Sequence, residues 1–175
     1  MDDEDRIATV RDVPTDGTLL VTLRRLDGVT DGDDEGVGGA EGGENREEAV
    51  LTRLDDGDVA AYVNRCQHFR HVRLDKGSGA EVRDGELVCT NHGAYFRADT
   101  GRCTYGPCEG AYLDEVAVAV GADDAGSGSD GAGDRNDAGD RNDAGVYLAD
   151  EDYEFVRVGG LGDDVVRSSR SNVEF

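Results

Sequence analysis

Two short cysteine–histidine pairs constrain this chain more than any other feature of its sequence. The first pair lies in Cys66–His68 ("CQH") and the second in Cys89–His92 ("CTNH"), with 20 residues between them. Together the pairs contain two of the four cysteines and two of the three histidines. Each pair is expected in a loop at the end of a strand. The fold must therefore bring the tips of two loops close together.

Short strands separated by turns surround both pairs. The strand after "VPTDG" is predicted over Thr18–Leu26, and "AVLTRL" and "VAAYVNR" flank a hairpin turn at "DDGD". A second hairpin, "AEVRDGELVC", has Asp84–Gly85 at its tip, and further strands are expected in "AYFRA", "YLDEVAVAVG" and twice in "GVYLADEDYEFVRVGG". No stretch shows an apolar stripe with helical period. This pattern predicts an all-β fold, an antiparallel sandwich or barrel.

The charge of the chain excludes some classes of partner. There are 40 acidic and 18 basic residues, a formal charge of -22, and Lys76 is the only lysine. Nucleic acids and anionic membrane surfaces both require clustered basic residues, so we expect neither as a partner. Such acidity is tolerable where salt screens the repulsion between like charges, which predicts a halophilic source. No secretory signal or membrane helix is visible, so we expect a cytoplasmic protein, where cysteines serve as metal ligands or redox groups.

The strand pattern is interrupted twice. Residues 27–48 are rich in glycine and acid, and residues 121–145 contain the duplicated sequence "DRNDAG". Neither segment has the apolar residues needed for a core, so we interpret both as acidic insertions rather than as ion sites. The sequence thus predicts a single domain over residues 1–162 and a flexible tail over residues 163–175.

Two cysteines and two histidines suit either of two metal centres. A tetrahedral zinc accepts this ligand set, and so does an iron–sulfur cluster with mixed ligation. Structural zinc sites usually take both residues of each pair on one metal. When each loop contributes one thiolate and one imidazole, two metal atoms can share the four ligands instead.

The sequence resembles the Rieske [2Fe–2S] family. The pattern Cys-x-His followed by Cys-x-x-His is similar to the family's motif, and "HGAYF" with the following "TG" resembles its continuation at His92, Gly93, Phe96, Thr100 and Gly101. The segment "YGPCEG", Tyr105–Gly110, resembles the family's proline loop, which covers the cluster. The resemblance implies a cluster-binding subdomain at about residues 63–110. It also implies that Cys66 and Cys89 bind one iron of a [2Fe–2S] cluster while His68 and His92 bind the other.

Departures from the high-potential members of the family imply a low reduction potential. Those proteins carry a disulfide between the ligand loops, and hydroxyl groups where this chain has Ala94 and Phe96. Donors to the cluster sulfurs stabilise the reduced state, so their loss lowers the potential. The resemblance is therefore to ferredoxin-type members, soluble one-electron carriers that serve an oxygenase or a reductase. In the family the imidazoles face solvent, which implies electron exit at His68 and His92.

The remaining candidates are weaker. His71 is the only spare histidine and is expected to be an exposed loop residue. A two-histidine, one-carboxylate iron site therefore cannot be built, and we expect no catalytic activity of the chain's own. Cys103 and Cys108 are interpreted as free thiols, with a disulfide or redox pair as the alternative. Two other functions remain open: an accessory small subunit of a reductase, similar to that of nitrite reductase, and a zinc-stapled binding module.

Overall fold

The computed structural model describes residues 5–26, 45–67, 69–91, 93–121 and 141–161. These residues form strands joined by turns, with short 3₁₀ helices at Val10–Asp12 and Arg141–Asp143. The strands are β1 (Arg6–Thr9), β2 (Leu19–Arg25), β3 (Arg46–Arg53), β4 (Val59–Val63), β5 (Glu81–Arg83), β6 (Glu86–Cys89), β7 (Ala94–Arg97), β8 (Cys103–Tyr105), β9 (Val118–Gly121), β10 (Gly145–Leu148) and β11 (Tyr153–Val158). The all-β prediction is confirmed.

The strands form three antiparallel sheets. Their orders are β1-β10-β9, β11-β2-β3-β4 and β5-β6-β7-β8. The third sheet is built from consecutive strands, and it begins with the predicted hairpin, whose tip residues Asp84 and Gly85 both have positive φ, 50° and 75°. That left-handed backbone is what a tight turn between β5 and β6 requires.

The second sheet is a wall shared by two cores. Ala49 and Leu51 of β3 pack into one apolar cluster, whereas Val50 between them packs into the other. The same alternation occurs in β4, where Ala61 and Tyr62 belong to different clusters. A strand buried on both faces has no polar alternation, which explains the continuous apolar run "AVL".

Tyr62 joins the shared wall to the third sheet. Its hydroxyl donates to the carbonyl of Ala98 at 2.9 Å, and its ring lies against Gly101, where an added Cβ would come within 2.8 Å of the ring. Gly101 also has a φ of +69°, so both space and backbone require glycine there. Burial, together with the charges of Glu115 and Asp99, raises the pKa of Tyr62.

Several predicted boundaries are wrong. Strand β3 begins at Arg46, so the end of the segment predicted as an insertion over 27–48 is strand, while residues 27–44 lie outside the described residues. Gly121 ends β9 and Gly145 begins β10, so the second predicted insertion is also shorter, and its residues 122–140 are not described. The strand expected in "YLDEVAVAVG" starts only at Val118, and β8 was not predicted.

Among the described residues, no helix has the length and apolarity needed to cross a membrane.

Candidate metal centre

The first cysteine of the motif lies in a closed loop directly after β4. The N–H of Cys66 donates to the carbonyl of Val72 at 2.8 Å, and the N–H of Val72 donates to that of Phe69 at 2.9 Å. These bonds close the segment that begins at Cys66. The cysteine itself is only 1% exposed, whereas Phe69 is exposed at the outer side of the loop.

The second cysteine is the last residue of β6. The carbonyl of Cys89 accepts a hydrogen bond from the N–H of Gly93 at 3.0 Å, which folds the second loop back onto its own strand. Gly93 has a φ of +67°, a left-handed conformation that favours glycine at the end of such a turn. Cys89 is also 1% exposed. Each of the two loops is therefore closed by a backbone hydrogen bond at its cysteine, and each holds a buried thiol.

Both thiols belong to one apolar cluster. Cys66 and Cys89 share the core of the third sheet, together with Leu87, Phe96 and Leu113 among others. A soft sulfur ligand in an apolar, water-poor site is suited to iron or zinc. The donor chemistry of the two described motif cysteines therefore fits one end of a metal centre.

The two motif histidines, His68 and His92, lie outside the described residues. Within the described part of the chain, no three histidine, cysteine or acidic side chains are grouped so that they could hold a metal ion. The complete four-residue ligand set stays a prediction.

A buried polar network supports the first loop from behind. The side-chain amide of Asn64 donates to the carbonyl of Asp75 at 2.8 Å, and the N–H of Asp75 donates back to Asn64 at 2.8 Å. The carboxylate of Asp75, which is 1% exposed, accepts from Thr18 at 2.8 Å and from the N–H groups of Gly77 and Gly79 at 2.8 and 3.0 Å. This network ties the loop that carries Cys66 to the beginning of β2 and to the chain entering β5.

Sequence reasoning missed this network. The spacing Asp75, Gly77, Gly79 is typical of an aspartate that accepts hydrogen bonds from the backbone just after it. It could have indicated a local turn. The long-range partners, Thr18 and Asn64, carry no such signal.

Charged residues near the first loop are largely paired. Arg65 forms a salt bridge with Glu47, and Arg73 forms one with Glu48 at 3.2 Å. Both glutamates are buried, at 7% exposure, so each pair satisfies a carboxylate that would otherwise be costly. The amine of Lys76 donates to Asn91 at 2.5 Å and so links the chain after the first loop to the second loop.

His71 is an exposed loop residue, as predicted. Its ring lies 5.4 Å from that of Phe69, tilted by 49°.

The proline loop, Tyr105–Gly110, lies against the start of β7. At Gly106 an added Cβ would stand 2.9 Å from Cα of Ala94, and its φ is +115°. The ring of Tyr105 is exposed and contacts that of Tyr95 edge-on, with centroids 6.0 Å apart. The loop therefore packs directly beyond the second ligand loop.

Cys103, two residues before this loop, and Cys108, within it, are free thiols, as the sequence interpretation favoured. Their sulfurs are 3.2 Å apart, and the thiol of Cys103 also donates to the carbonyl of Tyr105 at 3.3 Å. Burial, followed by the hydrogen bond with Cys103, raises the pKa of Cys108 to about 12.

Comparison with known proteins gives one match to a family model. The model of the Rieske [2Fe-2S] domain matches residues 29–119, which include both cysteine–histidine pairs and the whole proline loop. A curated relative, Oxidoreductase NdmD of Pseudomonas putida, is 39% identical over 61 residues. That match covers 35% of this chain and only 10% of the relative.

Two solved ferredoxin structures are also similar. The ferredoxin of Sphingomonas yanoikuyae B1 has a TM-score of 0.44 at 18% identity, over 65% of this chain and 86% of the other. The ferredoxin of carbazole 1,9a-dioxygenase from Nocardioides aromaticivorans IC177 has a TM-score of 0.41 at 26% identity, over 66% and 86%. Because the family model spans more than half of the 175 residues, the chain belongs to the Rieske [2Fe-2S] domain family, whose cofactor is a [2Fe–2S] cluster.

Proposed function

We propose that this Rieske protein is a cytoplasmic, ferredoxin-type one-electron carrier, with Cys66, His68, Cys89 and His92 as the cluster ligands. The observation that carries the ligand assignment is the pair of buried thiols, Cys66 and Cys89, at the ends of two loops that share one apolar core. When bound, a [2Fe–2S] cluster supplies a one-electron redox couple. The chain's own contribution is to hold the ligand loops rigid and to exclude water from the thiolate end.

Hydrogen bonds among the described residues account for the rigidity of the loops. The Asn64–Asp75 pair fixes the chain on both sides of the first loop, and the bond from Gly93 to Cys89 closes the second. A site held by such supporting hydrogen bonds reorganises little when its charge changes, which favours fast electron transfer.

The side of the site away from the shared wall suits a redox partner. Phe69, Arg70 and His71 lie within the first loop and are exposed, in a chain whose overall charge is strongly negative. We propose a protein partner, the oxygenase or reductase component of an oxidoreductase system. The similarity to a relative named as an oxidoreductase supports this proposal, although the match spans only a tenth of that relative's length.

We also propose the domain organisation that the sequence predicts. It consists of a single Rieske domain over residues 1–162, with its cluster-binding part over about residues 63–110, and a flexible tail over residues 163–175.

Metal and sulfide analysis of the anaerobically purified protein, followed by EPR after dithionite reduction, tests the proposal. We expect two irons and two acid-labile sulfides per chain and a rhombic EPR signal of a histidine-ligated cluster. The variants Cys66→Ser and Cys89→Ser should lose it. Cys103→Ser is the matched control, because it removes an equally buried cysteine of the same core and should keep the cluster. One zinc and no sulfide in the wild-type protein would overturn the proposal in favour of a zinc-stapled module.

A further inference from the structure

Two cysteines that the cluster does not need face each other across the proline loop. Cys103 is the first residue of β8 and is 1% exposed, whereas Cys108 is partly exposed in the turn that follows. Their sulfurs lie 3.2 Å apart. No nearby third ligand among the described residues makes the pair part of a metal site.

The backbone holds the two cysteines in this position. Cys103 exchanges two backbone hydrogen bonds with the far end of the loop: its N–H donates to Ala111 at 2.7 Å, and its carbonyl accepts from Gly110 at 2.9 Å. The N–H of Ala111 in turn donates to the carbonyl of Cys108 at 2.9 Å. The loop is thus closed before any covalent bond forms, with Cys103 in the core of the third sheet and Cys108 packed against that core.

We propose that Cys103 and Cys108 are a thiol–disulfide redox site, which a low-molecular-weight disulfide of the glutathione class oxidises and the corresponding thiol reduces. Groups held in near-contact react with effective concentrations far above those of free thiols, so the intramolecular disulfide is favoured over a mixed one. A bond of about 2.05 Å needs the sulfurs to approach by only about 1.2 Å.

The difference in exposure assigns the order of events. The Cys108 thiolate attacks one sulfur of the small disulfide, forms a mixed disulfide and releases one thiol molecule. The Cys103 thiolate then attacks the Cys108 sulfur and displaces the second thiol molecule. The protein loses two electrons and two protons in total, and the small disulfide gains them as two thiols. Oxidation also removes the S–H that Cys103 donates to Tyr105.

The Cys103–Cys108 pair lies close enough to the second ligand loop for its oxidation to affect that loop. The same loop carries Gly106, where an added Cβ would stand 2.9 Å from Cα of Ala94, and Ala94 pairs with Cys89 in the ladder of β6 and β7. A covalent link across the loop restricts its movement away from β7.

Peptide mass analysis tests the proposal without relying on the cluster. The purified holoprotein is equilibrated in high salt with mixtures of reduced and oxidised glutathione, quenched with acid, unfolded, alkylated and cut with trypsin. Trypsin places Cys103 and Cys108 together in peptide 103–135, Cys66 in peptide 66–70 and Cys89 in peptide 84–97. Because the high pKa of Cys108 leaves little thiolate, the incubation is long and mildly alkaline.

We expect peptide 103–135 to change from doubly alkylated to unalkylated and lighter by two hydrogens, reversibly, as the mixture becomes more oxidising. Peptides 66–70 and 84–97 should stay alkylated throughout. Cys103→Ser should trap glutathione on Cys108, and Cys108→Ser should leave the buried Cys103 unmodified. The proposal is overturned if peptide 103–135 stays doubly alkylated in oxidised glutathione alone. A stable glutathione adduct on the wild-type peptide, or a cross-link to peptide 66–70, overturns it as well.

Discussion

The substitution Thr18→Val tests whether the buried polar network fixes the cluster-binding sheet to the rest of the domain. The hydroxyl of Thr18 donates to the carboxylate of Asp75 at 2.8 Å and accepts from the N–H of Ala80 at 2.8 Å. Valine has nearly the same shape as threonine but can neither donate nor accept a hydrogen bond through its side chain. The substitution therefore removes one partner from a buried carboxylate and one from a buried backbone N–H.

The magnitude follows from these two losses. A hydrogen bond to a charged group contributes about 1.5–3 kcal/mol, and a buried N–H left unpaired costs about 1–3 kcal/mol. Asp75 keeps its bonds from Gly77 and Gly79, so the lower half of the summed range applies, and we expect Thr18→Val to lower the free energy of unfolding by about 3–4 kcal/mol. The control, Thr18→Ser, keeps the hydroxyl and loses one methyl group, which costs about 1 kcal/mol.

Urea denaturation in high salt, followed by far-UV circular dichroism, measures the difference. With a slope of about 2 kcal/mol per molar, typical of a small domain, Thr18→Val should lower the midpoint by about 1.5–2 M and Thr18→Ser by about 0.5 M. Equal shifts for the two variants would refute the reasoning, because the hydroxyl would then contribute nothing beyond its volume.

Three further predictions concern the proline loop, buried Tyr62 and the exposed Arg70. Gly106→Ala should speed loss of the cluster to a chelator far more than Gly110→Ala. Both glycines have positive φ, +115° and +87°, but of the two only Gly106 has backbone atoms within 3 Å of an added Cβ. Equal rates would contradict the packing argument. Tyr62→Phe should flatten the loss of stability in alkali. The raised pKa keeps Tyr62 neutral in the folded protein, so its contribution to the free energy of unfolding is complete below about pH 10, where the unfolded chain is also neutral, and falls above that pH by at most about 1.4 kcal/mol per pH unit. Denaturation midpoints measured against pH for both proteins would show the difference. Arg70→Glu should slow oxidation of the reduced protein by anionic ferricyanide and speed oxidation by a cationic ruthenium ammine, because it reverses the charge of an exposed residue. A change of the same sign with both reagents in stopped-flow measurements would place electron exit elsewhere.

Local signals in the sequence predict much of the fold. The turn residues Asp84 and Gly85 predict the β5–β6 hairpin correctly, because a tight turn depends on the backbone freedom of only two residues. Strand β8 was missed because "CTY" is short and its pairing with β7 is interrupted by a register shift. The start of β3 was misplaced because Glu47 and Glu48 look like part of an acidic loop. Partners that are distant in sequence make burial of these glutamates tolerable: Arg65 and Tyr153 for Glu47, and Arg73, Asn64 and the N–H of Leu161 for Glu48.

The same limit applies to the metal centre. Sequence spacing predicts Cys66 and Cys89 as ligands, because ligands must occur close together in the loops that hold a metal, and the structure buries both thiols in one core. The supporting groups Thr18 and Asp75 are 57 residues apart, and no spacing rule connects them. At Ala94 and Phe96 the sequence and the structure lead to the same conclusion about the cluster environment. Both are completely buried beside the proline loop, where a hydroxyl would need a partner, so the absence of sulfur donors predicted from the sequence agrees with an apolar environment. An apolar shell disfavours the added negative charge of the reduced cluster, which supports the low reduction potential that the resemblance to ferredoxin-type proteins implies.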